Sequence, residues 1–309
     1  MAGYGLSVVV VDAPSNLGLS PPEEGREPGV RGLASALRER GLMYRLGAED
    51  GGRLTPPPYS PEVESGTGTR NGEAIRGFSL DLAERLGAIV RGGRFPLVLG
   101  GDCSILLGSM LALRRVGRFG LVFVDGHLDF RHPGNSARLG AVAGEDLALV
   151  TGRGSERLTD IGGLRPLVRD EDVVALGERE AYPGWRDIHD TEITVWDLSR
   201  LRELGFAGAA ERAVEKLRAS GVEGFWVHLD ADVLDDALMP AVDSRQPGGM
   251  RYGELVQLLK PLLRSGLAVG MEITIFDPEL DSTGEIAEAF TAAVVEAFSG
   301  KRLRGWEDA

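Results

Sequence analysis

Short apolar runs rich in Val, Leu and Ile, bounded by Gly, Pro or Asp, recur along the whole chain. Strands buried on both faces of a parallel sheet read this way. The runs fall at Leu6 to Val11, Met43 to Leu46, Leu97 to Leu99, Leu121 to Val124, Val173 to Leu176, Ile193 to Trp196, Phe225 to Leu229 and Ala268 to Ile273. Between many of them the apolar spacing becomes that of a helix, at Val30 to Arg40, Asn71 to Arg91, Ser104 to Arg115, Ala207 to Ser220, Tyr252 to Arg264 and Glu285 to Phe298. This alternation predicts an α/β fold: a single three-layer α/β/α domain over residues 1–309 with a mostly parallel sheet, because right-handed crossovers cover both sheet faces. Gly51 to Arg70 and Arg131 to Glu145 read as long loops, which are uncommon unless functional or mobile.

The composition narrows the partners. Of 309 residues, 47 are acidic and 34 basic, a formal charge of −13 that offers no attraction to a phosphate backbone. Nucleic acid is excluded as an expected partner, whereas a small cationic molecule suits the field. No apolar run approaches the roughly 20 residues that cross a bilayer, and the first residues, MAGYGLSVVVVD, lack a basic leader. The expectation is a cytoplasmic protein with no membrane partner. One cysteine, Cys103, rules out an intrachain disulfide, so its thiol matters as a ligand or nucleophile if it matters at all.

Three clusters of unusual side chains begin where strands are expected to end: Gly100-Gly101-Asp102-Cys103-Ser104, Asp125-Gly126-His127-Leu128-Asp129, and His228-Leu229-Asp230-Ala231-Asp232 followed by Asp235 and Asp236. In an open parallel sheet the carboxyl ends of the strands share one edge, so these segments can meet in one crevice. Taken singly, each has an ordinary explanation. A strand-end Asp starts a turn or caps a helix, His127 is a satisfied histidine, and Gly100 and Gly101 make a tight turn with Ser104 as cap. Taken together, Asp125, Asp129, Asp230, Asp232, His127 and Cys103 are four carboxylates, an imidazole and a thiol with few cations to pair them. Such a group is costly to leave ionised in a partly buried crevice. A pair of metal ions resolves the conflict, and carboxylate with imidazole suits Mn or Zn.

GGDCS, DGHLDF and HLDADVLDDALMPAVDSRQPGG resemble the three signature motifs of the arginase superfamily, the ureohydrolases that include arginase, agmatinase and formimidoylglutamase. The resemblance runs from Leu97 to about Pro278. It implies that Asp125 and Asp230 bridge two divalent ions, that Cys103 and Asp129 complete one site, and that His127 and Asp232 complete the other. It also implies an eight-stranded sheet, a trimeric or hexameric homo-oligomer, and hydrolysis of a linear C–N bond in a guanidino or amidino compound by a metal-bridging hydroxide.

Three positions depart from the family pattern. Cys103 stands where His is usual; a thiolate adds negative charge to the shell and favours Zn or Fe over the Mn expected first. The loop position of the family's proton-shuttling His falls near Ala143, leaving His132, Glu145 or Asp146 as substitutes, His132 first. Ile275 stands where arginase and agmatinase place a guanidinium-binding Glu, with Glu272 and Glu180 as candidate replacements. The candidate catalytic residues are therefore His132, Asp102 and Glu272, and the candidate substrate contacts are Glu180 and Glu272. These departures leave two other readings open: a hydrolase of formimidoyl groups or N-hydroxyguanidines, and a catalytically silent member kept for ligand binding or assembly.

Overall fold

A computed structural model describes residues 8–179 and 183–299, of 183–186 the backbone alone. Eight strands form one sheet: β1 (Val8–Asp12), β2 (Glu49–Arg53), β3 (Phe95–Leu99), β4 (Gly120–Val124), β5 (Val173–Leu176), β6 (Thr194–Trp196), β7 (Phe225–Asp230) and β8 (Ala268–Thr274). Their order is β2-β1-β3-β8-β7-β4-β5-β6, and every pairing is parallel. The inner strands are wholly buried and apolar for most of their length, such as VVVVD and GLVFV, as a sheet covered on both faces requires.

The covering helices are α1 (Leu33–Glu39), α2 (Leu42–Leu46), α3 (Gly72–Arg91), α4 (Ile105–Arg114), α5 (Asp146–Val150), α6 (Glu156–Thr159), α7 (Leu198–Leu204), α8 (Phe206–Ala219), α9 (Tyr252–Arg264) and α10 (Glu285–Phe298). Alternate strand residues point to opposite faces, and two cores result. Leu97, Val122, Val227 and Met271 pack with Leu37, Leu217, Leu259 and Phe290 on one face. Val98, Phe123, Trp226 and Val269 pack with Leu82, Leu107 and Leu147 on the other. No helix among the described residues is long and apolar enough to cross a membrane.

The second expected strand is wrong. Met43 to Leu46 lies within α2, a single turn set between Gly41 at φ 76 and Gly47 at φ 60. These left-handed positions bound a helical turn at both ends, and a four-residue apolar run does not by itself distinguish strand from helix. The strand that occupies that sheet edge is β2, EDGGR, which takes the first residues of the expected Gly51 to Arg70 loop. It is mostly polar and solvent-facing, so no apolar pattern marks it. The two long loops meet: Arg70 donates through its main-chain N and Nη1 to the carbonyl of Gly140, at 3.1 and 2.8 Å.

The chain order turns back on itself in the middle of the sheet. The crossover from β3 to β4 skips two places, which β8 and β7 fill later. The carboxyl ends of β3, β8, β7 and β4 are therefore neighbours, and a crevice at such a reversal is where open α/β sheets bind ligands.

Candidate metal centre

The turn after β3 is built for close approach. A Cβ on Gly101 would sit 1.6 Å from the carbonyl oxygen of Ser15, so only glycine fits. Asp102 accepts from Ser15 Oγ at 2.7 Å and from the Ser104 main-chain N at 2.8 Å, fully buried. The structure thus gives Asp102, a candidate catalytic residue, the job of fixing the turn. That turn delivers Cys103 to the end of β7, where Sγ donates to Asp230 Oδ2 at 2.9 Å and lies 3.3 Å from Thr274 Oγ1. Burial, then Asp230, push the thiol well above its usual range.

The segments after β4 and β7 interlock. Asp125 Oδ1 accepts from the His127 main-chain N at 2.6 Å, and Asp230 Oδ1 accepts from the Asp232 main-chain N at 2.7 Å. Gly126 N donates to Asp232 Oδ1 at 3.2 Å, and His127 Nδ1 lies 2.8 Å from Asp232 Oδ2. Asp129, at φ 44, takes the left-handed conformation that turns the chain away after DGHLD. Two groups of donor atoms result, each within 4.8 Å: Asp125, His127 and Asp232 in one, Cys103, His228 and Asp230 in the other.

Electrostatics favour a cation here. Burial, followed by the neighbouring carboxylates, pushes Asp125, Asp129 and Asp230 well above the ordinary carboxylate range. Asp232 goes the other way: burial opposes its ionisation, but His127 and Arg179 outweigh burial and hold it low. Asp125 Oδ2 is buried without a hydrogen-bond partner, and among the described residues no Lys or Arg pairs with the carboxylates of Asp125, Asp230 or Asp232. An orphaned carboxylate oxygen among oxygen, nitrogen and sulfur donors fits divalent metal ions.

The adjoining cavity, about 230 Å³, is lined in part by His127, Asp129, Asp230 and Asp232, with Arg131, Ala143, Asp243, Ser244 and Ile275 among the rest of its wall. Two sequence candidates stand away from it. His132 spends both ring nitrogens elsewhere, Nε2 lying 2.9 Å from Asp187 Oδ2 and Nδ1 accepting from Gly134 N at 3.1 Å. Glu272 faces the α4 layer, fully buried between His228 Nδ1 at 2.7 Å and Ser109 Oγ at 2.5 Å. Glu180 lies outside the described residues. Sequence reasoning passed over His228 as a donor, although its two-residue spacing from Asp230 puts both on one face of β7. It also passed over Arg179, whose partners are main-chain carbonyls.

Comparison with known proteins decides the family. The Arginase family profile matches residues 7–300. The chain belongs to the arginase family. It is similar to the arginase of Brevibacillus brevis, 31% identical over 303 residues covering 95% of this chain and 98% of that one. The arginase of Staphylococcus aureus strain COL is 30% identical over 306 residues, 96% and 98% of the two chains. The structure resembles that of the Bacillus caldovelox arginase with a TM-score of 0.86 at 28% identity, covering 96% of this chain and 99% of that chain. Ala143 and Ile275, two of the three positions at which the resemblance leads one to expect another residue, both stand on the cavity wall. Ile275 is held at φ 74, a strained conformation for a β-branched residue, while its N donates to the Gly101 carbonyl at 2.7 Å.

Proposed function

We propose that this arginase-family chain is a binuclear-metal hydrolase of a linear C–N bond in a guanidino or amidino compound. The observation that carries the reading is Asp125: a buried carboxylate with one unpartnered oxygen, placed among donors of His127, Asp232, Cys103, His228 and Asp230, and among the described residues no Lys or Arg forms an ion pair with Asp125, Asp230 or Asp232. Asp125, His127, Asp129, Asp230, Asp232 and Cys103 would hold the two ions, Mn first, with Zn or Fe drawn by the thiolate. Bound there, the ions would supply a water acidified towards neutral pH and positive charge opposite the oxyanion that develops on the substrate.

The chain's own residues set the rest. The main-chain N–H groups of His127 and Asp232 fix one oxygen each of Asp125 and Asp230, leaving the other oxygen to face its neighbours. His127 is held from its two sides by Asp232 and by Gln246, whose Nε2 is 2.9 Å from His127 Nε2. Arg131, Ser20 and Ser244 line the cavity, and their N–H and O–H groups would orient a polar substrate. Ile275 removes the carboxylate that family relatives offer a full guanidinium, and this favours a second reading in which the substrate is a formimidoyl compound or an N-hydroxyguanidine. A homo-oligomeric assembly, which the family resemblance implies, and a cytoplasmic location, expected from the sequence pattern, belong to the proposal.

The test is a panel of guanidino and formimino compounds offered to protein loaded with Mn, Zn or Fe. Release of urea supports the leading reading; release of formamide from a formimino compound, or of hydroxyurea from an N-hydroxyguanidine included in the panel, supports the second. Full metal loading without turnover of any compound would overturn both in favour of a binding or assembly role.

A further inference from the structure

His228 takes no part in the reading above, yet it is placed with care. Its ring is fully buried and stacked on Phe123, centroids 4.7 Å apart and planes 7° from parallel. Nδ1 lies 2.7 Å from Glu272 Oε1, and the other oxygen of Glu272 accepts from Ser109 Oγ. Assigned from that carboxylate partner, the hydrogen sits on Nδ1 and the lone pair on Nε2. Nε2 is buried and has no hydrogen-bond partner among the described residues. A histidine whose Nδ1–H is anchored by a carboxylate while Nε2 stays bare has the tautomer and orientation of a metal ligand.

The partners for that lone pair are at hand. Donor atoms of Cys103, His228 and Asp230 all lie within 4.8 Å of one another, and all three residues are buried. We propose that one of the two metal positions in this chain is built on Cys103, His228 and Asp230, a thiolate, imidazole and carboxylate set that takes zinc in preference to manganese. A soft thiolate beside an imidazole selects zinc, whereas oxygen-rich positions suit manganese. Cys103 and His228 then act as a matched pair: Cys103 brings an extra negative charge, and the neutral imidazole adds a donor without adding another. The inference rests on the binuclear reading and adds a ligand to it.

The test uses metal-free full-length protein titrated with cobalt(II) as the spectroscopic probe. Thiolate ligation should give a near-ultraviolet charge-transfer band that zinc displaces and manganese does not. Cys103→Ser should abolish the band, and His228→Gln should weaken cobalt binding at that position by more than about 10-fold while leaving affinity at the other metal position unchanged. Because His228→Gln leaves Glu272 short of a partner and threatens folding, anomalous diffraction at the zinc edge on the unaltered protein gives the independent measurement. A zinc peak bonded to both Cys103 Sγ and His228 Nε2 is the expected result. Cobalt bound without a charge-transfer band, or a zinc peak that misses His228 Nε2, would overturn the inference and leave the binuclear reading standing. Protein that binds neither metal would overturn both.

Discussion

Arg179 donates through Nη2 to the main-chain carbonyl of Asp232 at 2.7 Å, leaving the Asp232 carboxylate to His127. The same nitrogen reaches the carbonyls of Leu234 at 3.3 Å and Gln246 at 3.1 Å. One guanidinium therefore ties the segment after β7 to the segment that carries Gln246, and its charge still helps keep Asp232 ionised. Arg179→Met should lower divalent-metal affinity by about 10 to 100-fold, the range seen when groups supporting a ligand are lost. Isothermal titration with manganese checks this, and wild-type affinity in the variant would show that the clasp is irrelevant to the site.

The glycines of the first motif and of the helices should respond in opposite directions. Gly101→Ala forces a Cβ against the Ser15 carbonyl, a main-chain atom that cannot rotate away. A loss of about 3 kcal/mol or more is expected, the upper range for overpacking. Gly77, exposed within α3 with open space around it, is the control. Gly77→Ala should stabilise by about 0.5 to 1 kcal/mol through helix propensity. Urea midpoints of the two variants against the parent decide both signs.

Glu145 links the fold to pH. Burial pushes its carboxyl up to about 7, against the opposing pull of the Gly140 and Ala141 N–H groups and of Arg131. The folded value lies above the unfolded one, so its favourable contribution is complete below about 4.5 and is lost as pH rises through about 7, up to roughly 3 kcal/mol. Glu145→Gln should remove that component. The stability difference between roughly pH 5 and pH 8 should shrink in the variant; an unchanged profile would mean the carboxyl is ionised throughout.

Stripping the metal should reveal the strain between the aspartates. Asp125, Asp129 and Asp230 are all held high by burial and one another, so metal-free protein should lose stability as pH rises from the acid side. Adding a divalent cation should reverse that slope and release protons, because ligating carboxylates and thiolate must be ionised. Binding enthalpies in buffers of different ionisation heat count those protons. No proton release on binding would contradict the picture of carboxyls protonated in the metal-free state.

How much of this was legible in the sequence depended on burial. Strands β1, β3, β4, β5, β7 and β8 announce themselves as apolar runs because both of their faces are covered. The edge strand β2 carries EDGGR and leaves no such trace. The three motifs after β3, β4 and β7 were visible because unusual residue types stood at strand ends. What the motifs could not convey was where each polar atom would be spent. His132 goes to Asp187 and Asp102 to Ser15, through contacts made by residues far apart in the chain. Glu272 follows from strand alternation once β8 is in register with β7, where it sits opposite His228. Arg179 had no sequence signal, since carbonyls carry no side-chain identity.

The central claim is that the acidic residues after β4 and β7 tolerate one another because two divalent cations stand among them. Anomalous diffraction from crystals grown with excess manganese and zinc tests this most directly. The account predicts two peaks between the Asp125 and Asp230 carboxylates. A cleft without either peak, its carboxyl groups hydrogen-bonded to each other as acids, would contradict it.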